Sequence, residues 1–392
     1  MKPVIYLRWL PFGRILLALI ALCAALILSN QFVQAKQAVP VSPEPQKPDN
    51  SACLGCHGRP DQSYKFPDGS MISISVDKPA FEQSVHANLN CQVCHTNLAG
   101  YPHPKNNATN AREYTMQYKD SCKNCHPIQS TEQNDSVHAR SLQAGNQNSA
   151  TCADCHNPHT TTKIQKDAQG KIIGDDHANI ASTCAKCHNT IYQEYAKSVH
   201  GQGIVRDKNP DVPACTDCHG IHKIQDPTQN QFRLSSPQMC GNCHTDWRIM
   251  GKYGLSTNVL NTYVADFHGT TVTIFERNHP DEPTNKAVCY DCHGVHNILS
   301  TKDPQKGISV KNNMLIACQR CHPDANLNFP DSWLSHYIPS PTRYPIVFFV
   351  TLFYNILIPT VLGGMGIFVL ADIVRRVFRR KQTVETTTGG LK

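Results

Sequence analysis

The chain has 392 residues, among them 19 cysteines and 20 histidines. So many thiols each need a fixed partner, which excludes an ordinary cytosolic enzyme. The formal net charge is +7, but residues 36–344 hold 28 basic and 28 acidic side chains, so the excess lies at the two ends. A neutral body excludes the basic face that a nucleic-acid-binding protein needs.

The N-terminus predicts an export signal. Basic residues stand near the start, an apolar run follows at 15–28, and small residues lead up to Ala35. The run is shorter than the ~20 residues that cross a bilayer. We therefore expect residues 1–35 to be a cleaved signal peptide, with an uncleaved anchor as the alternative. Residues 36–50 contain four prolines and are predicted to be an extended tether.

The pattern Cys-x-x-Cys-His occurs nine times in the body and uses every cysteine except Cys23. This pattern is the attachment signature of c-type haem, in which two thioethers hold the porphyrin and the histidine ligates the iron. Zinc ribbons also pair cysteines, but zinc does not require histidine at the next position. A disulfide framework leaves the same histidines unexplained. We therefore expect nine covalently bound c-type haems.

The predicted haem-attachment residues are Cys53, Cys56, Cys91, Cys94, Cys122, Cys125, Cys152, Cys155, Cys184, Cys187, Cys215, Cys218, Cys240, Cys243, Cys289, Cys292, Cys318 and Cys321. The predicted iron ligands within the motifs are His57, His95, His126, His156, His188, His219, His244, His293 and His322.

Nine further histidines recur in a duplicated pattern and are predicted to be the second axial ligands. One motif is followed by Ser-Val-His, then by a second motif, then by a trailing histidine. The Ser-Val-His position holds His86, His138, His200 and, in a divergent copy, His268. The trailing histidines are His103, His159, His222, His296 and His336. The predicted two-haem modules are 53–103, 122–159, 184–222 and 240–296, and a ninth haem is expected at 318–336.

Two expectations concern how these histidines are used. We expect each Ser-Val-His histidine to ligate the haem just before it, since a helix leaving the motif would carry it back. We expect each trailing histidine to reach a neighbouring haem. His177 and His279 are left over.

The spacing of the motifs predicts the fold class. With about 30 residues per haem, the chain buries little apolar side-chain area without its porphyrins. We expect a mainly α structure with much irregular loop, in which residues 51–336 form one nonahaem cytochrome c domain organised around its haems.

The C-terminus predicts one transmembrane helix at 345–373, because the 26 residues 346–371 carry no formal charge. The basic tail at 374–392 is expected to be cytoplasmic and the body extracytoplasmic. Small residues at 363–366 favour packing against another membrane helix, and a lone anchor is the alternative. No histidine follows His336, so this helix offers no ligand for a b-type haem.

The motifs resemble those of multihaem c-type cytochromes of the doubled kind, in the style of cytochrome c3-like and nitrite-reductase-associated electron carriers. The resemblance covers roughly residues 51–336. It implies closely spaced bis-histidine haems that pass electrons one at a time, as in anaerobic respiration. The chain departs from the membrane-bound tetrahaem quinol dehydrogenases, which have an N-terminal anchor and fewer haems.

The resemblance implies an electron carrier on the periplasmic side of a bacterial or archaeal cytoplasmic membrane, with no catalytic residue assigned. Its expected partners are a separate quinone-reactive subunit of the cytochrome b type and periplasmic or outer-surface redox proteins. The alternative is an enzyme that acts on a small nitrogen or sulfur compound at one open haem, with His177 or His279 as a base. Nitrite reductases of this group often replace the histidine of the active haem with lysine, and no motif here ends in lysine.

Overall fold

The computed structural model describes residues 49–98, 100–332, 336, 338–342 and 344–388. The predicted signal peptide at 1–35 and all but the last two residues of the tether at 36–50 lie outside the described residues, so both stay predictions.

The described chain is mainly helical with much irregular loop, as expected. The first part of the body holds α1 (Ser51–His57), β1 (Ser63–Lys65), β2 (Met71–Ser73), α2 (Lys78–Gln83), α3 (Ala111–Met116), α4 (Pro127–Asn134), α5 (Val137–Gln143) and α6 (Cys152–Cys155). The second part holds α7 (Gly174–Ala185), α8 (Asn189–Tyr195), α9 (Val199–Val205), α10 (Cys215–His219), α11 (Asn230–His244), α12 (Trp247–Met250), α13 (Val259–Ala265), α14 (Phe267–Asn278), α15 (Cys289–His293) and α16 (Lys311–Gln319). Short 3₁₀ turns lie at Cys91–Val93, Gly251–Tyr253 and Pro330–Ser332, and α17 (Pro345–Thr388) is the last helix of the described residues.

Regular sheet is scarce in the described residues, as predicted. The strands β1 and β2 form one antiparallel hairpin in which Tyr64 pairs with Ile72. Most other elements are helices of a few turns, too short to be stable in isolation. Their stability must come from contacts between elements and from whatever fills the space between them.

The backbone falls into two compact units. One unit runs to Ala111 and also contains His159–Thr161, and the other consists of Arg112–Pro158 and Thr162 onward. The apolar core of the second unit is small: Leu234, Val272 and Val288 are each only 2% exposed and form its centre. The scarcity of apolar core agrees with a fold that is organised around haems.

The helix α17 is long and apolar enough to cross a membrane over Pro345–Phe378, with a mean hydropathy of 2.1 in its most apolar window. None of the residues in that window is buried in the described structure. The helix is much longer than the ~20 residues that span a bilayer. The predicted C-terminal span at 345–373 lies within this helix.

Candidate functional site

Eight histidines of the motifs face eight of the histidines outside the motifs, ring against ring. The centroids of the paired rings are 5.9–6.4 Å apart. The pairs are His57–His103, His95–His159, His188–His138, His156–His222, His244–His200, His219–His296, His322–His268 and His293–His336.

This separation fits a metal ion between the two rings. Two imidazoles that bind one metal, each through a nitrogen about 2 Å away, have centroids about 6 Å apart. Two neutral rings with nothing between them have no reason to repeat this gap eight times. The spacing is therefore that of bis-histidine iron, and the residues present fit a c-type haem at each of these places.

Several of the paired rings are also oriented as metal ligands usually are. Nδ1 of His57 lies 2.7 Å from the carbonyl oxygen of Ile74, and Nδ1 of His103 lies 2.6 Å from that of Gly100. Nδ1 of His336 lies 3.1 Å from the carbonyl oxygen of Val259. A ring whose Nδ1–H donates to a carbonyl presents Nε2 to the metal, and this second contact fixes the ring's orientation.

Burial keeps the most enclosed of these rings neutral. It lowers the pKa of His200 to about 4, and the nearby His244 contributes to the shift. Burial likewise lowers the pKa of His293 to about 4, with contributions from His336 and His244. Only the neutral imidazole has a lone pair for a metal, so these side chains are in the ligating form near pH 7.

The Ser-Val-His sequence has a structural explanation for each residue. In α9, Ser198 is the N-cap: its Oγ accepts a hydrogen bond of 3.0 Å from the Gly201 amide, and the serine is only 1% exposed. The cap starts the helix at Val199 and places His200 at a fixed point of its first turn. The α5 copy repeats this arrangement, with Ser136 accepting from the Ala139 amide at 3.1 Å.

The valine joins one module to the next through its backbone. Val199 is the first helical residue, so its amide N–H has no carbonyl acceptor within its own helix. This amide donates to the carbonyl oxygen of Ile298, two residues beyond the trailing His296 of the following module, at 2.9 Å. The same bond joins Val137 to Ile224 at 2.9 Å. We call these two bonds the module clips.

The residue after the histidine must be small because the helix that precedes it lies against it. A Cβ atom added at Gly201 would stand 1.8 Å from the carbonyl oxygen of Tyr195, at the end of α8. Tyr195 is itself held by a hydrogen bond of 2.7 Å from its hydroxyl to the carbonyl oxygen of Pro213. The fourth module repeats this packing, since a Cβ at Gly269 would stand 2.0 Å from the carbonyl oxygen of Tyr263.

The fourth module differs at its cap. Asp266 replaces the serine, and its carboxylate accepts from the Phe267 amide at 2.6 Å. The amide that serves as a module clip elsewhere is thus satisfied within its own module. This copy is followed in the chain by the ninth motif alone and not by a full two-motif module.

The pairing corrects one expectation from the sequence. His138 faces His188, and not His126 in the motif before it. His200 and His268 likewise face His244 and His322, each in the next motif group along the chain. For His138 and His200, the helix that carries the histidine is clipped forward onto the next module, so the ring points forward as well. His268 faces forward without a clip. The expectation that each Ser-Val-His ligates the preceding haem is wrong for these three.

The trailing histidines turn the other way. His222 faces His156 and His296 faces His219, in each case the second motif of the previous module. His336, which follows the ninth motif, faces His293 in the eighth. His222 and His296 thus reach a motif of the neighbouring module, as expected. The assignment of His336 to the ninth haem at 318–336 is wrong, because its ring faces the eighth motif and His268 faces the ninth. Internal modules therefore exchange histidines in both directions.

His86 and His126 lie in different units, and their predicted ligation stays a prediction. The two surplus histidines have other contacts. His177 is 3% exposed, and its Nε2 lies 3.3 Å from Oδ2 of Asp217. His279 is half exposed, and its Nδ1 lies 3.2 Å from Oε1 of Glu282.

The attachment cysteines are neighbours in chain order. Within a module, the first cysteines of the two motifs are in hydrogen-bond contact: Cys53 with Cys91, Cys122 with Cys152, Cys184 with Cys215 and Cys240 with Cys289. Between modules of the second unit, Cys155 is close enough to Cys184 to interact electrostatically, as is Cys218 to Cys240 and Cys292 to Cys318. Seven consecutive motifs of the second unit thus adjoin one another in order.

The zinc and disulfide alternatives find no support in the described part of the chain. There, no group of three or more histidine, cysteine, aspartate or glutamate side chains is arranged to hold a metal ion by itself. No two of the eighteen motif cysteines, all of which lie in the described residues, form a disulfide. Two histidines and four porphyrin nitrogens would complete an iron site that the protein side chains alone do not form.

Two curated relatives are similar to this chain. Multiheme cytochrome MtrA of Shewanella baltica (strain OS185) is 26% identical over 275 residues, which is 69% of this chain and 65% of MtrA, so the chain spans less than two thirds of that relative. Cytochrome c-type protein NapC of Escherichia coli (strain K12) is 30% identical over 147 residues, which is 28% of this chain and 70% of NapC. No protein-family model and no solved structure matches the chain. Together with the paired histidines, these relatives show that the chain belongs to the multihaem c-type cytochromes.

Proposed function

We propose that this protein is a membrane-anchored nonahaem cytochrome. It transfers electrons between a quinone-linked membrane subunit, of the cytochrome b type, and redox proteins on the periplasmic or outer surface. The observation that carries the proposal is the set of eight histidine pairs, each with the ring spacing of a bis-histidine iron site. Bound haem supplies one-electron chemistry, and an iron held by two histidines has no position for a substrate.

The order of the motifs supports a conduit. Contacts between attachment cysteines run from Cys122 through Cys184 and Cys240 to Cys318 without a gap in the second unit. Because each cysteine fixes one edge of a porphyrin, neighbouring cysteines hold neighbouring haems close together. Short steps between successive centres are what a chain of electron carriers requires.

The short stretch of chain between the last haem ligand and α17 supports exchange with a membrane partner. His336, the proposed second ligand of the eighth haem, lies nine residues before the start of α17 at Pro345. The basic residues Arg375 and Arg376 follow the uncharged run 346–371 and favour a cytoplasmic C-terminus. Since α17 has no histidine, the quinone-reactive group belongs to a separate subunit in this proposal.

The test is a haem count on the purified holo-protein together with its EPR spectrum, recorded with and without nitrite or hydroxylamine. Nine covalently bound haems, all low-spin and unaffected by either compound, are the expected result. A high-spin haem that shifts when nitrite or hydroxylamine is added would refute the conduit and favour an enzyme with one open haem. Fewer than nine haems would refute the stoichiometry.

A further inference from the structure

The second motif of modules two to four contains an aspartate that closes its helical turn. These motifs read Cys-x-Asp-Cys-His, with Asp154, Asp217 and Asp291 at the third position. Each carboxylate accepts a hydrogen bond of 2.7 Å from the backbone amide just before the first cysteine, at Thr151, Ala214 and Val288 respectively. This contact satisfies an amide that the helix itself leaves without a partner.

Each aspartate also contacts a basic side chain from the segment before the first motif of its own module. Asp154 receives two bonds from Nη1 of Arg112, at 2.9 and 3.0 Å. Asp291 receives bonds from both Nη atoms of Arg233, at 3.1 and 2.8 Å. These arginine–carboxylate contacts are half-buried and fix the carboxylate in two directions.

In the third module the basic partner is His177. Burial would raise the pKa of Asp217, but hydrogen bonds from His177 and the Ala214 amide hold it below its usual value. His177 and Arg233 each stand seven positions before the first cysteine of their module, so they are equivalent in the repeat. His177 is also the more buried partner, at 3% exposure.

The first module makes the same connection without an acid. Its second motif has valine in place of the aspartate. Asn50, just before the first motif, alone makes the contact with the start of the second motif. Its Nδ2 donates to the carbonyl oxygen of Leu89 at 2.9 Å, and its Oδ1 accepts from the Cys91 amide at 3.1 Å. All four modules therefore tie the segment before the first motif to the start of the second.

We propose that His177 is the positioning residue of the third module, which acts through Asp217 to fix the Cys215–His219 turn and so the angle of His219 toward His296. The proposal rests on the proposed function, since it concerns the setting of one haem ligand. It also gives the surplus histidine a role that is neither iron ligand nor catalytic base. His219 and His296 are 6.1 Å apart with ring planes at 25°, and this is the geometry that His177 would maintain.

The test compares His177→Ala, His177→Arg and the control His279→Ala in the full-length holo-protein. The readouts are the haem count, the EPR signals of the individual haems and their midpoint potentials. We expect His177→Ala to change the signal and midpoint of one haem, and His177→Arg to restore both, because arginine occupies the equivalent place at Arg233. His279→Ala should match the wild type, since that side chain is half exposed and its ring contacts Glu282 and Phe275, away from the paired histidines.

A double variant separates the positioning role from a general loss of packing. If His177 acts through Asp217, adding His177→Ala to Asp217→Asn should produce no further change in that haem. Additive changes, or a His177→Arg protein that behaves like His177→Ala, would overturn the proposal. If the His177→Ala protein does not fold with its haems, the His177→Arg protein decides the question. Nine haems with wild-type EPR signals in His177→Arg would support the proposal, and loss of haems or of those signals would overturn it. A wild type that lacks bis-histidine signals would instead refute the proposed function.

Discussion

Replacing His200 with alanine tests the forward pairing of the modules. The His200 ring lies 6.3 Å from His244, with the two ring planes at 58°. We expect His200→Ala to leave the iron of the Cys240–His244 motif with one protein ligand, so one haem in nine becomes high-spin. If His200 served the haem just before it, the open iron would be that of His188, whose ring faces His138 at 36°.

The angle between the ring planes allows EPR to separate these outcomes. In bis-histidine haems the largest g-value rises as the two imidazole planes turn away from parallel. Among the eight pairs, His200–His244 at 58° and His268–His322 at 56° have wide angles, and the other six lie at 38° or less. His200→Ala should therefore remove one of two wide-angle signals and add one high-spin signal.

His296→Ala is the matched control, since its pair with His219 has a narrow angle of 25°. This variant should also open one iron, but it should keep both wide-angle signals. The reasoning would be refuted if His200→Ala kept both wide-angle signals and lost a narrow-angle one.

Three further predictions concern packing and the membrane helix. Val199→Pro should lower the free energy of unfolding by about 1 kcal/mol or more, because it removes a module clip. Proline suits the first helical position and lacks only the amide hydrogen, so the helix itself should be kept. Thermal unfolding compared with Val199→Ala checks this, and equal unfolding midpoints would refute the clip. Gly201→Ala should lower the unfolding midpoint, since its Cβ would stand 1.8 Å from the Tyr195 carbonyl oxygen, whereas Gly251→Ala should not because its Cβ meets nothing within 4 Å. Gly364→Leu should remove a co-purifying membrane subunit and keep every haem, and retention of that subunit would leave α17 as a lone anchor.

The sequence was most informative where chemistry demands fixed residue types. Thioether attachment and iron ligation require Cys-x-x-Cys-His whatever the fold, so attachment residues could be predicted without a structure. The helical, sheet-poor fold followed from the short spacing between motifs and is confirmed. The repeat of Ser-Val-His also identified His138 and His200, which the structure places against motif histidines.

The pairing could not be predicted in the same way, because it depends on backbone contacts that have no side-chain signature. The clip from Val199 to Ile298 joins a main-chain amide to a main-chain carbonyl 99 positions later, and almost any residue could supply either group. His177 had a detectable signal that was missed. It stands seven positions before a module's first cysteine, as Arg233 does, and both modules have aspartate inside the second motif.

The exchange of histidines explains why the ends of the repeat differ from its middle. Module three presents His200 forward to His244 and His222 back to His156, so neither of its own motifs obtains a second ligand from within. A first module has no predecessor, and its trailing His103 turns to its own His57 instead. At the other end, the ninth motif and the histidine after it form a half-module, which supplies His322 to His268 and His336 to His293. In this arrangement the ninth motif completes the fourth module, and the array closes without a further copy.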